Sequence, residues 1–310
     1  MKKTILITGG FGFIGLNLID KLLTQTSYSI VSFVRKKTIL NNLPFSFNSK
    51  RLKIMYGNIE NKNDVIKALK TSTVTIHLAA RMAKGKNQNE IESIMKTNLY
   101  GTLNLLEAAR FNKQNKVIIV STGGVYGENS RPIRENDNLC PLNPYTVSKL
   151  AAERLAHAYH VQYGIPTIIV RPFNVYGPFE SSKRSIPRII ISLSHNKKVK
   201  LTYRGNRIRD WIYIEDVVDA IISILSCTNN NVVGKTFNIS TGKPTSTLNV
   251  TRKIINIMGK KKSSISFVDS IISEVHYNVG DYHNIQSVTG WKPSHSIEEG
   301  ISKTVEWYLQ

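Results

Sequence analysis

Two cysteines, Cys140 and Cys227, are all that the 310 residues contain. They lie far apart and match no metal or redox spacing, so no disulfide framework is expected and a reduced, cytoplasmic protein is. Acidic residues are scarce as well: 21 Asp and Glu stand against 42 Lys and Arg, a formal net charge of +21. That balance attracts anions and points to anionic ligands or partners. No apolar run approaches the roughly 18 residues of a membrane span. Lys2 and Lys3 precede the apolar Ile5, Leu6 and Ile7. Gly9 ends that run before an export core of about 7–15 residues can form. Neither a leader nor a membrane partner is expected. His157 and His160 sit three residues apart with no third ligand in view, so no metal site is expected. Internal repeats and low-complexity linkers are absent too.

What the chain does have is alternation. Strand-like apolar runs fall near 4–8, 29–34, 52–56, 73–78 and 116–121, with helical patterns near 13–24, 62–70 and 90–112 between them. A helix near 145–163 and a strand near 166–171 follow. Such alternation predicts an α/β fold, an open doubly wound parallel sheet of the Rossmann type with helices on both faces. Past residue 172 the rhythm changes, with more Pro, Gly and basic residues. The division expected is a dinucleotide domain over 1–171, with a return near 210–240, and a smaller substrate lobe over 172–310.

Three stretches carry chemistry. In Thr8-Gly9-Gly10-Phe11-Gly12-Phe13-Ile14-Gly15, glycines stand between a strand and a helix. There the backbone can approach a phosphate at the positive end of the helix. The second strand ends in Val34-Arg35-Lys36-Lys37, where an acid would bind the ribose hydroxyls of NAD. A guanidinium there suits a 2′-phosphate, which favours NADP (NADPH) over NAD, with Arg35 as its ligand. In Tyr145-Thr146-Val147-Ser148-Lys149, the phenol and the ammonium lie at i and i+4 on one helix face. The ammonium, and the positive nicotinamide of an oxidised cofactor, are expected to lower the phenol's pKa and make Tyr145 a proton donor and acceptor. Thr122, at a strand end, is placed to hydrogen-bond the same substrate oxygen.

Taken in order, TGGFGFIG (8–15), HLAA (77–80), STGGVYG (121–127), PYTVSK (144–149), RPFNVYGP (171–178), RDWIYIEDVVDA (209–220) and GWKP (290–293) resemble the extended short-chain dehydrogenase/reductase family. Its nucleotide-sugar-modifying branch is the one matched, over nearly the whole chain. The resemblance implies Tyr145 as catalytic acid/base, Lys149 as its partner and ribose ligand, and Thr122 as the oxygen-binding residue. It implies a cofactor site of Gly9, Gly12, Phe13, Ile14, Gly15, Arg35, Asn58, Ile59, Leu78, Ala79, Ala80, Asn98 and Pro172, with Tyr145 and Lys149. Thr122, Gly123, Tyr145, Asn174, Arg188 and Arg209 are the implied substrate contacts, Arg209 on the diphosphate. The acid-free basic run 181–209 is then explained by a nucleoside diphosphate, and no nucleic-acid partner is expected.

Gly123-Gly124 stands where 4,6-dehydratases of the family carry an Asp-Glu pair, and glycines transfer no protons. Two reactions remain. The favoured expectation is NADPH-dependent reduction of the C4 ketone of a nucleotide-linked 4-keto-6-deoxyhexose, dTDP-linked as first choice, for surface polysaccharide. The alternative is an NAD-dependent 4-epimerase of a UDP-hexose, and the remote one a catalytically silent dinucleotide-binding protein. By resemblance, the helices near 90–112 and 145–163 pair two copies into a homodimer.

Overall fold

The computed structural model describes residues 4–35, 43–82, 87–228, 230–261, 264–269 and 275–310. Lys36 and Lys37 lie outside them. The first strand, β1 (Thr4–Thr8), contains the fully buried Ile5, Leu6 and Ile7. Its centre is apolar because it has no solvent side: parallel neighbours flank both edges and helices cover both faces. The chain continues through α1 (Phe13–Gln25), β2 (Ser29–Val34), β3 (Leu52–Tyr56), α2 (Lys62–Leu69) and β4 (Val74–His77). Next come α3 (Gln88–Met95), α4 (Gly101–Phe111), β5 (Lys116–Val120), α5 (Pro144–Tyr163) and β6 (Thr167–Pro172).

These strands lie in the order β3-β2-β1-β4-β5-β6, and a seventh, from Thr236–Ile239, adds outside β6. Every neighbouring pair is parallel. The order reverses between β1 and β4, so a crevice opens at their carboxyl ends, where such sheets bind ligands. Buried side chains of α2, α4 and α5, among them Val65, Leu105 and Ala156, fill one face of the sheet. Leu18, Ile19 and Leu22 of α1 fill the other.

Two local features position the site. Between α3 and α4 the helix does not break but widens into a π turn over Lys96–Tyr100, with the buried Asn98 inside it. The start of α5 is fixed by a capping box: Asn143 accepts from the backbone N–H of Thr146, and the Thr146 hydroxyl accepts from that of Asn143. Pro144 sits in its first turn.

The second half runs through β7 (Asn174–Tyr176), α6 (Ser185–Ser194), β8 (Val199–Thr202), β9 (Ile208–Tyr213), α7 (Ile214–Ser226) and β10 (Thr236–Ile239). It ends with β11 (Pro244–Ser246), α8 (Thr247–Ile257), β12 (Ile265–Val268), β13 (Tyr277–Asn278), α9 (His283–Thr289) and α10 (Ile297–Leu309). Here α7 packs on α1, and β10 completes the large sheet. Strand β9 gathers β7, β11 and β13, while β8 pairs with β12 alone. Helices α6, α8 and α10 pack against one another beside these small sheets.

Candidate active site

The glycine stretch forms a close crossing. Gly9 has φ +68, and a Cβ there would stand 2.8 Å from the Ala79 backbone at the end of β4. A Cβ on Gly15 would stand 2.5 Å from the Gly10 carbonyl oxygen. Helix α1 begins at Gly12 with no side-chain cap. Its first-turn amides, near Phe13 and Ile14, are therefore left for a ligand's phosphate. Leu78, Ala79 and Ala80 line the facing strand end, and Arg35 is exposed at the end of β2. These residues fit a dinucleotide. The Ile59 side chain is 6% exposed and packs in the core with Leu105 and Leu106. Asn58 is exposed, and its side-chain oxygen accepts from the Glu60 N–H, shaping the loop.

A buried polar chain ties β1, β4 and α4 together beneath this mouth. The Ala79 N–H donates to the Thr8 hydroxyl, which bonds His77 Nδ1 at 2.7 Å. His77 Nε2 bonds the Thr102 hydroxyl at 3.0 Å, and that hydroxyl donates to the Asn98 carbonyl at 2.6 Å. Thr102 has given its proton away, so it accepts from His77, which carries its hydrogen on Nε2 and accepts from Thr8 at Nδ1. Asn98 is drawn into the same framework. Its side-chain amide donates to the Arg81 carbonyl and the Ser148 hydroxyl, and its oxygen accepts from the Arg81 N–H. Both amide hydrogens are thus used within the protein. Asn98 thereby positions the β4 loop and α5 beside the expected cofactor site.

On α5, Tyr145, Lys149 and Glu153 recur at four-residue spacing on one face. Burial pushes the Tyr145 phenol up to about 12, and the nearby Arg184 guanidinium opposes this. In the protein without cofactor, desolvation outweighs the charges; the lowering expected from Lys149 was for a phenol that also faces an oxidised nicotinamide. Burial brings Lys149 down to about 8, opposed by Glu153. Glu153 is held by a two-pronged ion pair with Arg171, at 2.6 Å for its closest contact. Arg171 also donates to Tyr126, and Tyr126 to Asn238. The helix face is therefore anchored to β6, next to the buried Pro172, and to β10.

Facing α5 is the turn after β5. Thr122 Oγ1 accepts from the Gly124 N–H at 3.1 Å, which leaves its own proton to donate. The Gly123 carbonyl accepts from Asn278. A Cβ on Gly123 would lie 2.9 Å from the Phe173 ring, and one on Gly124 2.9 Å from Thr146 Cγ2. No side chain fits at either position without displacing those neighbours.

On the substrate side, Asn174 is half-buried and its amide reaches toward the Asp210 carbonyl at 3.4 Å. Arg188 is exposed on α6. The Arg209 guanidinium donates to the carbonyls of Ile208, Val275 and His276. In this structure it braces the segment before β13. Sequence reasoning missed Asp210, fully buried, whose carboxylate accepts from Thr241, Gly242 and Gly280 and ties two loops to β9. It also missed Arg184, the cation acting on Tyr145, which pairs with Glu180 at 3.5 Å. The signal available was weak: an Arg two residues before an apolar helical run. Among the described residues no group of three metal-binding side chains occurs, and His160 bonds the Ile165 carbonyl instead.

Fold and site together define a class: a nicotinamide-dinucleotide enzyme on the short-chain dehydrogenase/reductase plan, from a group acting on nucleotide sugars. The chain belongs to the NAD dependent epimerase/dehydratase family, whose model matches residues 5–240. It is 30% identical to a dTDP-glucose 4,6-dehydratase of Shigella flexneri, over 98% of this chain and 92% of that one. It is 32% identical to a trifunctional UDP-glucose 4,6-dehydratase/UDP-4-keto-6-deoxy-D-glucose 3,5-epimerase/UDP-4-keto-L-rhamnose-reductase of Arabidopsis thaliana, matching 99% of this chain but 47% of that longer protein. A solved UDP-glucuronic acid 4-epimerase from Bacillus cereus, in complex with UDP-glucuronic acid and NAD, superposes with a TM-score of 0.90. It is 28% identical, and the match covers 99% of both chains.

Proposed function

We propose that the protein carries out redox chemistry at C4 of a nucleotide-linked hexose, and that the reaction is 4-epimerisation. The observation that carries the C4 redox reading is the Gly123-Gly124 pair, and the likeness to a solved 4-epimerase holding NAD supports epimerisation within it. The relatives include dehydratases and 4-epimerases. Elimination needs an acid and a base beside the sugar, and these positions have no side chain, with Phe173 and Thr146 packed against them. Hydride exchange at C4 needs one proton moved at one oxygen, and Thr122, Tyr145 and Lys149 suffice for that.

A bound nicotinamide supplies the hydride acceptor and donor. The Tyr145 phenolate would take the proton from the C4 hydroxyl, and the phenol so formed would return it to the C4 oxygen. Thr122 donates to the same oxygen. Lys149, cationic below about 8, stabilises the phenolate against the burial that raises the free phenol. Gly9, Gly12 and Gly15 admit the diphosphate, and Asn174, Arg188 and Arg209 belong to the sugar-nucleotide side.

The second reading is the NADPH-dependent 4-ketoreductase. Arg35 favours it, exposed at the end of β2 where an NAD site usually has an acid. One pair of assays separates the two. Under epimerisation, the purified protein converts a UDP-hexose to its C4 epimer with NAD in catalytic amount, and the Tyr145→Phe variant does not. Under reduction, NADPH absorbance is lost stoichiometrically on a nucleotide-linked 4-keto-6-deoxyglucose, with NADPH preferred to NADH. Stoichiometric consumption without epimer formation would overturn the epimerase reading.

A further inference from the structure

The positive charge is not all gathered at the active site. Segments 181–209 and 220–268 contain no Asp or Glu. The parallel pairing of β8 with β12 brings the leading ends of two lysine-rich corners together, Val199 opposite Ile265 and Lys200 opposite Ser266. Lys197 and Lys198 precede one strand, and Lys260 and Lys261 precede the other. The contact is direct: Lys260 Nζ donates to Asn196 Oδ1 at 2.8 Å. A cavity of about 340 Å³ lies between the corners, with Lys197, Lys260 and Lys261 in its lining. Among the described residues none of these lysines has a carboxylate partner. The carboxyl ends of α6 and α8 account for part of the arrangement, since each carries about half a negative charge. Two such ends offset about one of the four lysines.

Beside this corner, β12 exposes apolar groups. Phe267 is 50% and Val268 37% exposed. Val268 shares its sheet face with Lys200. Arg204 stands over the Phe267 ring at 5.5 Å, so that face of the ring is not open for a nucleobase to stack. Point-charge lysines at the leading end of this sheet, with Val268 further along the face of Lys200, match an anionic bilayer surface: the lysines are drawn to phosphate headgroups and the exposed apolar side chain meets the interface.

We propose that the β8–β12 corner docks the protein on anionic lipid membranes. No spanning helix is needed, and the contact departs from the expectation of no membrane partner. It lies apart from the residues assigned to catalysis and does not depend on which reaction they perform.

Vesicle co-sedimentation tests it with the full-length chain. Binding is expected to phosphatidylcholine vesicles containing phosphatidylglycerol and not to phosphatidylcholine alone. The triple variant Lys197→Glu/Lys260→Glu/Lys261→Glu should weaken binding at least about tenfold. An equal reversal on other elements, Lys53→Glu/Lys67→Glu/Lys113→Glu, all exposed, should retain most of it. Val268→Ser should lower the binding that survives physiological salt. The proposal falls if the native chain ignores phosphatidylglycerol, or if both triple variants lose binding equally, since net charge alone would then explain it. It also falls if vesicles stay unbound while a labelled single-stranded oligonucleotide binds the native chain and not the corner variant. Dinucleotide titration of each variant checks that the fold is intact.

Discussion

His77 sits where a histidine is held neutral. Burial lowers its pKa to about 3, and the Lys149 charge pushes the same way. Its hydrogen-bond chain also admits only one tautomer, since Thr102 accepts at Nε2 while Thr8 donates at Nδ1. The unfolded chain takes up this proton below about pH 6.5, the folded chain only towards about 3. Its contribution to stability is therefore complete above about 6.5 and is lost as pH falls, by up to about 1.4 kcal/mol per pH unit. Two buried carboxyls act with opposite sign. Burial raises Asp210 to about 6 and Glu180 to about 7, so the folded state binds their protons before the unfolded state does. The total pH dependence is thus muted, and a difference measurement is required. In urea unfolding, the stability lead of the native protein over His77→Gln should shrink by about 1–2 kcal/mol between about pH 7.5 and 5. Parallel curves for the two proteins would show that the neutral imidazole is not the acid-sensitive group.

At the scale of elements, a buried lysine holds the end of a helix. Lys116 opens β5 and is 8% exposed, and its Nζ donates to the carbonyls of Ile224 at 2.8 Å, Leu225 at 3.0 Å and Cys227. These are carbonyls at the end of α7, which lack helical partners. Lys116→Met keeps the side-chain volume but leaves these acceptors dry, and should cost roughly 2–4 kcal/mol in denaturant unfolding. A loss below about 0.5 kcal/mol would mean that water replaces the ammonium. In sequence this lysine reads as an ordinary strand-edge cation, which marks where pattern stops being informative. The strands and helices of the first half were legible because each βαβ unit is local and fully apolar on its buried strand. The π turn at Asn98 was not, because one extra residue in a turn barely disturbs the helical spacing. The small sheets were not either: β7, β11 and β13 have three, three and two residues, and β9 joins partners distant in sequence. The site divides the same way. Thr122, Tyr145 and Lys149 were visible as short motifs, while Asp210, Arg184 and Asn278 act through contacts that only the folded chain makes.

For the whole molecule, the helix that carries Tyr145 and Lys149 inward presents a second face outward. Val147, Ala151, Arg154, Ala158 and Val161 recur along it at alternating steps of four and three, and Val147 and Val161 are 42% and 70% exposed. The neighbouring helix adds Tyr100 at 59% and Phe111 at 75%. A mostly apolar stripe on two adjacent helices is larger than scattered surface hydrophobics require, and a second copy related by a two-fold axis would cover it with the same stripe. The homodimer expected by resemblance is thus given a surface. Sedimentation velocity at micromolar concentration should show a dimer, and Val147→Glu/Val161→Glu should raise its dissociation constant at least about a hundredfold, since each copy would bury uncompensated carboxylates. Salt gives an independent sign. Each copy carries a formal +21, so two copies repel, and apolar association should strengthen as salt screens that repulsion. A dimer held by ion pairs would weaken instead, and a native chain that sediments as a monomer throughout would leave the stripe without this partner. Because α5 bears the stripe and the catalytic pair on opposite faces, the monomeric variant should also lose turnover, through a less firmly seated Tyr145, while the buried Glu153–Arg171 pair keeps the helix folded.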